Sequence, residues 1–251
     1  MAFLLRALAT KNCTLVLRRS FAAVAARTTP ASTTDQLDEG SIPFETLRGV
    51  VDDNTLKAIK HTHMSLVQSR IFPLLPDLAQ PYDPATSRTK DNPRDLLVKA
   101  KTGTGKTMGF LVPAIEARLK AINAYVESTV QDSGVTITPQ FKAKAINRYA
   151  TERVGTLILS PTRELATQIA VEATNLTAKH LGFQVRVLLG GEAKFRQIKL
   201  WQGRKDIVVC TPGRILDLLE TEPQFAEALK YTQVVRIFFF FGGLAGHLLK
   251  I

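Results

Sequence analysis

The segment AKTGTGKT, from Ala100 to Thr107, constrains the fold of this chain more than any other. It follows the apolar run Leu96, Leu97, Val98 and precedes a stretch of helical periodicity, which predicts a strand, a glycine loop and a helix. A loop of that kind makes a phosphate cradle. Gly103 and Gly105 let backbone N–H groups approach phosphate oxygens, and the helix that begins here adds its positive dipole end. Lys106 stands where such loops direct an ammonium at the β- and γ-phosphates, and Thr107 supplies the hydroxyl they place on magnesium. Ala100 replaces the first glycine of the general pattern. Nucleoside triphosphate binding is therefore expected from Ala100, Lys101, Thr102, Gly103, Thr104, Gly105, Lys106 and Thr107. Of these, Lys106 and Thr107 are the catalytic candidates and Thr107 is the metal candidate. A glycine loop that opens a helix for structural reasons alone is the other reading, and Gly-Lys-Thr in this context disfavours it.

Short apolar runs recur at Leu96 to Val98, Leu157 to Leu159, Val185 to Leu189, Ile207 to Cys210 and Val234 to Val235, separated by helical patterns. This alternation predicts parallel strands buried on both faces, hence an α/β fold with a doubly wound, mostly parallel sheet. In the helix after the phosphate loop, Met108, Leu111, Val112, Ile115, Leu119 and Ile122 share one face, with Glu116, Arg118 and Lys120 placed away from it. Pro113 is expected to bend that helix. Residues from about 125 to 153 lack a comparable pattern and read as a partly helical insertion outside the sheet. Gln80 to Pro93, with three prolines, reads as an exposed loop.

Each distinctive short motif stands directly after one of these strands. The phosphate loop follows Val98, Pro161-Thr162-Arg163-Glu164 follows Leu159, Gly190-Gly191 follows Leu189, and Thr211-Pro212-Gly213-Arg214 follows Cys210. In an open parallel sheet the ligand crevice lies at the carboxyl ends of the strands, so all four are expected on one rim. Singly, a glycine pair is an ordinary turn and Thr-Pro an ordinary helix start. Their shared placement is what carries information.

The chain has 251 residues, 45% of them hydrophobic, enough for a full core. Its formal charge of +11 suggests an anionic partner, for which nucleic acid, an acidic membrane or a targeting segment each account. Residues 1–34 carry Arg6, Lys11, Arg18, Arg19 and Arg27 and no acid, and removing those five leaves +6. Their Arg, Ser, Thr and Ala content is that of an organelle transit peptide, expected to be disordered, with residues 35–43 as a linker. Lys11, Arg18 and Arg19 break every stretch that could serve as a secretory signal, and Arg19-Ser20-Phe21-Ala22 resembles sites cut by the mitochondrial processing protease. Cys13 and Cys210 imply no disulfide framework, so a reducing compartment suffices.

In their order and wording, AKTGTGKT, SPTRELA from Ser160 to Ala166, the glycine pair and TPGR from Thr211 to Arg214 resemble the first RecA-like, P-loop NTPase domain of the DEAD-box ATP-dependent RNA helicases. The resemblance covers residues 44–235, and the insertion and presequence look most like fungal mitochondrial helicases that assist intron splicing. It implies ATP and Mg2+ as cofactors, a monomer in the mitochondrial matrix with no membrane attachment, and single-stranded or structured RNA as partner. Phe44 and Gln68 occupy the place of the family's adenine-reading motif: the Gln68 amide is suited to pair with the adenine edge and Phe44 to stack on the ring. Met64 stands where the family has proline. The resemblance assigns Pro161, Thr162, Arg163, Gly190, Gly191, Thr211 and Arg214 to the sugar-phosphate backbone of one RNA strand. Hydroxyls, guanidinium groups and helix-start N–H groups suit phosphate oxygens and read no sequence.

The acidic sequence that gives the family its name is absent after Val235. The next residues are Arg236-Ile237-Phe238-Phe239-Phe240-Phe241, with no carboxylate up to Ile251. Asp206, at the amino end of its strand, is on the wrong rim to substitute, and Asp217 and Glu220 belong to the helix after TPGR. The Ser-Ala-Thr motif and a second RecA-like domain with arginine fingers are absent too. Residues 236–251 are therefore expected to be an aberrant apolar tail, and the chain a truncated helicase domain close to inactive in ATP hydrolysis and unable to clamp a duplex by itself. A non-catalytic ATP- or RNA-binding module is the alternative from another class. A small-molecule P-loop kinase would not need the three further motifs.

Overall fold

Short apolar runs flanked by turn formers are too short for helices and too apolar for an exposed strand, so they become the buried centre of a sheet. In the computed structural model, which describes residues 42–80, 96–100, 103–133, 138–230, 232, 234–241 and 244–250, six strands form. They are β1 (Leu96–Lys99), β2 (Thr156–Leu159), β3 (Val185–Leu188), β4 (Ile207–Cys210), β5 (Val234–Phe241) and β6 (Leu244–Lys250). All four residues of β2 and all four of β4 are buried, as strands covered on both faces require. The chain divides into units Met1–Gly40 and Ser41–Ile251, and the sheet with all its helices belongs to the second. The expected presequence, nearly all of the linker, and the expected loop beyond Gln80 lie outside the described residues.

The sheet order is β1-β6-β5-β2-β4-β3. β5, β2, β4 and β3 run parallel, with Leu159 opposite both Cys210 and Ile237, and Leu188 opposite Cys210. β6 is antiparallel to both β5 and β1, so β1 points the same way as the four parallel strands. The carboxyl ends of β1, β2, β3 and β4 consequently share one rim, and the turns after Val98, Leu159, Leu189 and Cys210 lie on it. The doubly wound, mostly parallel α/β sheet expected from the alternation is the observed fold.

Helices α1 (Asp53–Ala58), α2 (Leu66–Ile71) and α3 (Leu75–Leu78) precede β1. After it come α4 (Lys106–Ser133), α5 (Pro139–Glu152), α6 (Arg163–Thr177), α7 (Lys194–Trp201), α8 (Pro212–Thr221) and α9 (Pro223–Leu229). One core cluster joins Phe72, Leu75, Leu111 and Ile115 to Ile158, Ile169, Ile207 and Val209, tying helices on both sides of the phosphate loop to the central strands.

Two expectations change. The periodicity of α4 sets Glu116 and Arg118 on an outer face, yet both are buried, because each meets a matched partner there. Arg118 donates to the Asp206 carboxylate and to the Arg153 carbonyl, and Glu116 accepts from the Asp52 amide. The insertion explains the covering. α4 runs on to Ser133, and α5 packs beside it through the Tyr125 and Tyr149 rings, 4.6 Å apart, with the Arg118 and Arg153 guanidinium groups over Tyr149. Cation–aromatic contacts replace an aliphatic stripe there, so the apolar pattern that betrays an ordinary core helix is missing.

The second change concerns residues 236–251. β5 continues past Val235 to Phe241, and β6 returns along it with Phe238 opposite His247 and Phe241 opposite Leu244. An aromatic and β-branched run favours extended backbone, and this hairpin is the piece through which β1 joins the sheet.

Candidate functional site

At the end of β1, Gly103 (φ 79°) and Gly105 (φ 70°) adopt the left-handed conformation that L side chains rarely take. Gly105 has a second reason to lack a side chain, since a Cβ there would lie 2.4 Å from the Gln68 amide nitrogen. Ala100 is half-buried, Thr104 follows between the two glycines, and Lys101 and Thr102 lie outside the described residues. α4 opens at Lys106, whose Nζ donates to the Ala100 carbonyl across the loop at 2.8 Å. Burial pushes the Lys106 ammonium below its ordinary pKa, and Thr107 is the next residue of the same first turn.

The start of α2 braces this loop. Ser65 and Gln68 form a capping box: the Ser65 hydroxyl accepts from the Gln68 amide, and Gln68 Oε1 accepts from the Ser65 amide at 2.8 Å. The same two side chains then reach out. Ser65 Oγ donates to the Thr104 carbonyl at 2.9 Å, and Gln68 Nε2 donates to the Gly105 carbonyl at 3.1 Å. The amide expected to read adenine thus has both ends engaged, one by its own helix start and one by the loop. Ser65 escaped the sequence reading although Ser-x-x-Gln before an apolar run is a recognisable helix-start signal. Phe44, expected to stack on adenine, is 5% exposed and packs at 5.9 Å against Phe72 in the core. It is held there by the bond from its amide to the Thr62 carbonyl and by the bridge between Pro43 and His63.

The three remaining motifs meet one another. Pro161, Thr162 and Arg163 are exposed at the start of α6, where the Thr162 hydroxyl caps the helix by accepting from the Leu165 amide. Arg163 lies against Gly191, where a Cβ would come 2.4 Å from its Nη1, and Gly191 itself has φ 84°. The Gly190 amide donates to the Thr211 hydroxyl at 3.3 Å. Arg214, at the start of α8, donates from Nη2 to the Glu192 carbonyl at 2.8 Å and holds Nη1 3.9 Å from the Asp217 carboxylate. The exposed Arg163, the largely buried Arg214, hydroxyls and the glycine pair therefore form one polar strip along the rim. Supporting residues that sequence reasoning missed are Glu192, Lys194, Gln197 and Asp217, with Lys194 Nζ 2.8 Å from Asp217.

The opposite rim is different in kind. Asp206, directly before β4, is fully buried and accepts from Arg118, Arg204 and the Gln184 amide. Lys205 beside it donates to the Thr151 and Gly203 carbonyls. Burial, with Arg186 and Arg118 nearby, pushes its pKa down to about 8. The separation of Asp206 from the phosphate loop follows from the strand directions.

Strand, loop with two left-handed glycines, and a helix opening on Lys106 and Thr107 are the geometry of a P-loop domain. The family model described as DEAD/DEAH box helicase matches residues 83–236, and the chain belongs to that family. It is 43% identical over 130 residues to a probable DEAD-box ATP-dependent RNA helicase 48 of Arabidopsis thaliana, covering 51% of this chain and 14% of that protein. It is 30% identical over 203 residues to the mitochondrial ATP-dependent RNA helicase mss116 of Aspergillus oryzae, covering 79% of this chain and 26% of that protein. The yeast DEAD-box splicing factor Prp28 shares the fold, with a TM-score of 0.53 at 22% identity over 78% of this chain and 38% of that one. The chain thus spans about a quarter or less of the length of these two curated relatives.

Proposed function

We propose that this chain is the ATP- and RNA-backbone-binding domain of an ATP-dependent RNA helicase serving RNA in the mitochondrial matrix. The observation that carries this reading is the common rim: a phosphate loop and a strip of phosphate-suited groups stand at the carboxyl ends of strands that point the same way. Lys106 exchanges the Ala100 carbonyl for the terminal phosphates of ATP, and Gly103 to Gly105 supply backbone N–H groups. Gln68 reads adenine. To do so its Nε2 turns from the Gly105 carbonyl, which couples the presence of the base to the shape of the loop. Pro161, Thr162, Arg163, Gly190, Gly191, Thr211 and Arg214 hold one strand by sugar and phosphate.

Among the described residues no three His, Cys, Asp or Glu side chains stand together as a metal cage. A magnesium ion here would be held by the Thr107 hydroxyl, the nucleotide's own oxygens and water, a donor set that suits its preference for oxygen. When bound it would offset the charge of the terminal phosphates. No Asp or Glu occurs from Arg236 to Ile251, so the run directly after Val235 holds no carboxylate to orient an attacking water. Binding without appreciable turnover is therefore the activity proposed for this chain, and duplex separation that of the longer helicases to which it corresponds. The mitochondrial assignment rests on the acid-free basic segment at residues 1–34 and on the Aspergillus relative. Among the described residues, no helix is long and apolar enough to cross a membrane.

Titration of the full chain with a fluorescent adenine nucleotide and with labelled single-stranded RNA tests the reading. Both should bind. RNA affinity should fall steeply with salt and be indifferent to base sequence. Lys106→Ala should weaken nucleotide binding about ten- to hundredfold, the value of a charge-assisted phosphate contact. RNA-stimulated phosphate release above background would refute the absence of turnover, and undiminished nucleotide affinity in Lys106→Ala would remove the lysine's role.

A further inference from the structure

Two glycines side by side have no side chains with which to hold a turn, so the shape of Gly190-Gly191 has to be imposed from outside. We propose that Gln197, on the inward face of α7, is the positioning residue that imposes it, and that through Glu192 it joins this turn to the Thr211–Arg214 turn. This inference rests on the reading of those turns as an RNA groove.

Gln197 is 2% exposed. Its single amide nitrogen donates to the Leu189 carbonyl at 3.0 Å, directly before the glycine pair, and to the Glu192 carboxylate at 3.1 Å, directly after it. The two hydrogens of one NH2 group therefore straddle the pair. Few side chains could do this. Glutamate at the position would set oxygens against oxygens, and asparagine would fall a carbon short. The contact continues beyond Glu192, whose carbonyl accepts from Arg214 Nη2 at 2.8 Å. Arg214 Nη1 lies 3.9 Å from Asp217, and Asp217 accepts from Lys194 at 2.8 Å. Lys194 belongs to α7, as does Gln197, so the chain of contacts closes on itself: α7, the glycine turn, α8 and back. The Gly190 amide bond to Thr211 adds a second tie between the same two turns.

Within this ring Arg214 Nη1 and Gln197 Oε1 are buried without a hydrogen-bond partner. An unmatched guanidinium donor costs free energy where it stands, and a phosphate oxygen arriving at the rim would relieve that cost. The ring thus keeps Arg214 pointed along the groove with one donor reserved. If Gln197 lets go, the glycine turn relaxes, the Glu192 carbonyl moves, and Arg214 loses the acceptor that aims it.

The test uses the full chain with four variants: Gln197→Leu, Gln197→Glu, Glu192→Gln and the Gln197→Glu, Glu192→Gln pair. The readouts are affinity for labelled oligouridine, affinity for a fluorescent adenine nucleotide, thermal midpoint, and amide exchange at Gly190 and Gly191. Gln197→Leu should weaken RNA binding about tenfold, leave nucleotide affinity within about twofold, and speed exchange at both glycines. Gln197→Glu should be worse, because two carboxylates then face each other. The pair should recover part of that loss, since the new amide at 192 can donate to the new carboxylate at 197 while the Leu189 carbonyl stays without its donor. Glu192 is exposed, so Glu192→Gln folds even where a buried change at 197 does not, and it should weaken RNA binding by a lesser factor. Unchanged RNA affinity and glycine exchange in Gln197→Leu overturn the inference. So do RNA and nucleotide affinities that fall together with the thermal midpoint, and a pair with no recovery. A wild-type chain that does not bind RNA overturns the groove reading and this inference with it. A wild type that binds, beside an indifferent Gln197→Leu, overturns this inference alone.

Discussion

The two rims of the sheet use the same residue types to opposite ends. On the amino rim, Arg118 and Arg204 close on the Asp206 carboxylate, with the Arg118 and Asp206 side chains 1% and 0% exposed. On the carboxyl rim, Lys106 and Arg214 donate instead to main-chain carbonyls, those of Ala100 and Glu192. A buried carboxylate holds its cation permanently, because separating the pair strands a charge away from water. A carbonyl carries only a partial charge, and a phosphate oxygen can displace it. One rim is locked and the other exchangeable, which is why the proposed ligand contacts all lie on the second.

This contrast can be broken most severely at the amino rim. Asp206→Ala should cost about 3–5 kcal/mol of stability, since Arg118 is left charged and buried. Chemical denaturation checks it, and a loss below about 1 kcal/mol would mean that the locked rim relaxes like a surface pair.

Next in size is a pH effect at Glu116, which ties the phosphate-loop helix to the turn before α1. Burial raises its carboxyl from the ordinary 4.5 to about 7, a rise the Asp52 charge reinforces and the bond from the Asp52 amide opposes. Between those two values the folded chain binds more protons than the unfolded one, so its contribution to stability is lost as pH rises from 4.5 to 7 and stays lost above. Glu116→Gln should remove that slope and be the more stable protein at pH 8. The gain should be no more than about 3 kcal/mol, a tenfold change in proton affinity being worth about 1.4 kcal/mol. His180 pulls the other way. Burial holds its imidazole below the ordinary range, despite Asp52 nearby, so its share of stability is lost on acidification, and that limb should persist in the variant. Thermal midpoints from pH 4 to 9 for both proteins separate the two, and parallel curves would remove Glu116 as the titrating group.

The smallest effect sharpens the comparison at the carboxyl rim. Ser65→Ala removes the cap of α2 and the bond to the Thr104 carbonyl, and should cost about 1 kcal/mol of stability. The same change should weaken nucleotide binding a few-fold, as the loop loses one of its two braces. Stability lost with nucleotide affinity intact would show that the brace serves the helix alone.

Much of this arrangement was legible from residue order. Short apolar runs marked strands because their neighbours on both faces are apolar, and the motifs after them pointed to a shared rim. The same reading placed Glu116 and Arg118 outside and did not see that Gln68 braces the loop, since periodicity ranks residues by polarity and cannot see a matched partner arriving from elsewhere in the chain. Arg118 lies 88 residues from Asp206, and Gln68 37 from Gly105. No local window spans either contact.

The sequence alone determined where the glycine loop falls between strand and helix, because left-handed glycines and the spacing of Lys106 and Thr107 are properties of a few adjacent residues, whereas the braces from Ser65 and Gln68 came with the fold. Tertiary structure decided what each polar group outside the loop is bonded to, the antiparallel course of β6 between β1 and β5, and the ring that aims Arg214. The physical reason is that a buried donor or acceptor takes whichever partner the packed chain brings within reach, and that choice is made only when all the elements have met.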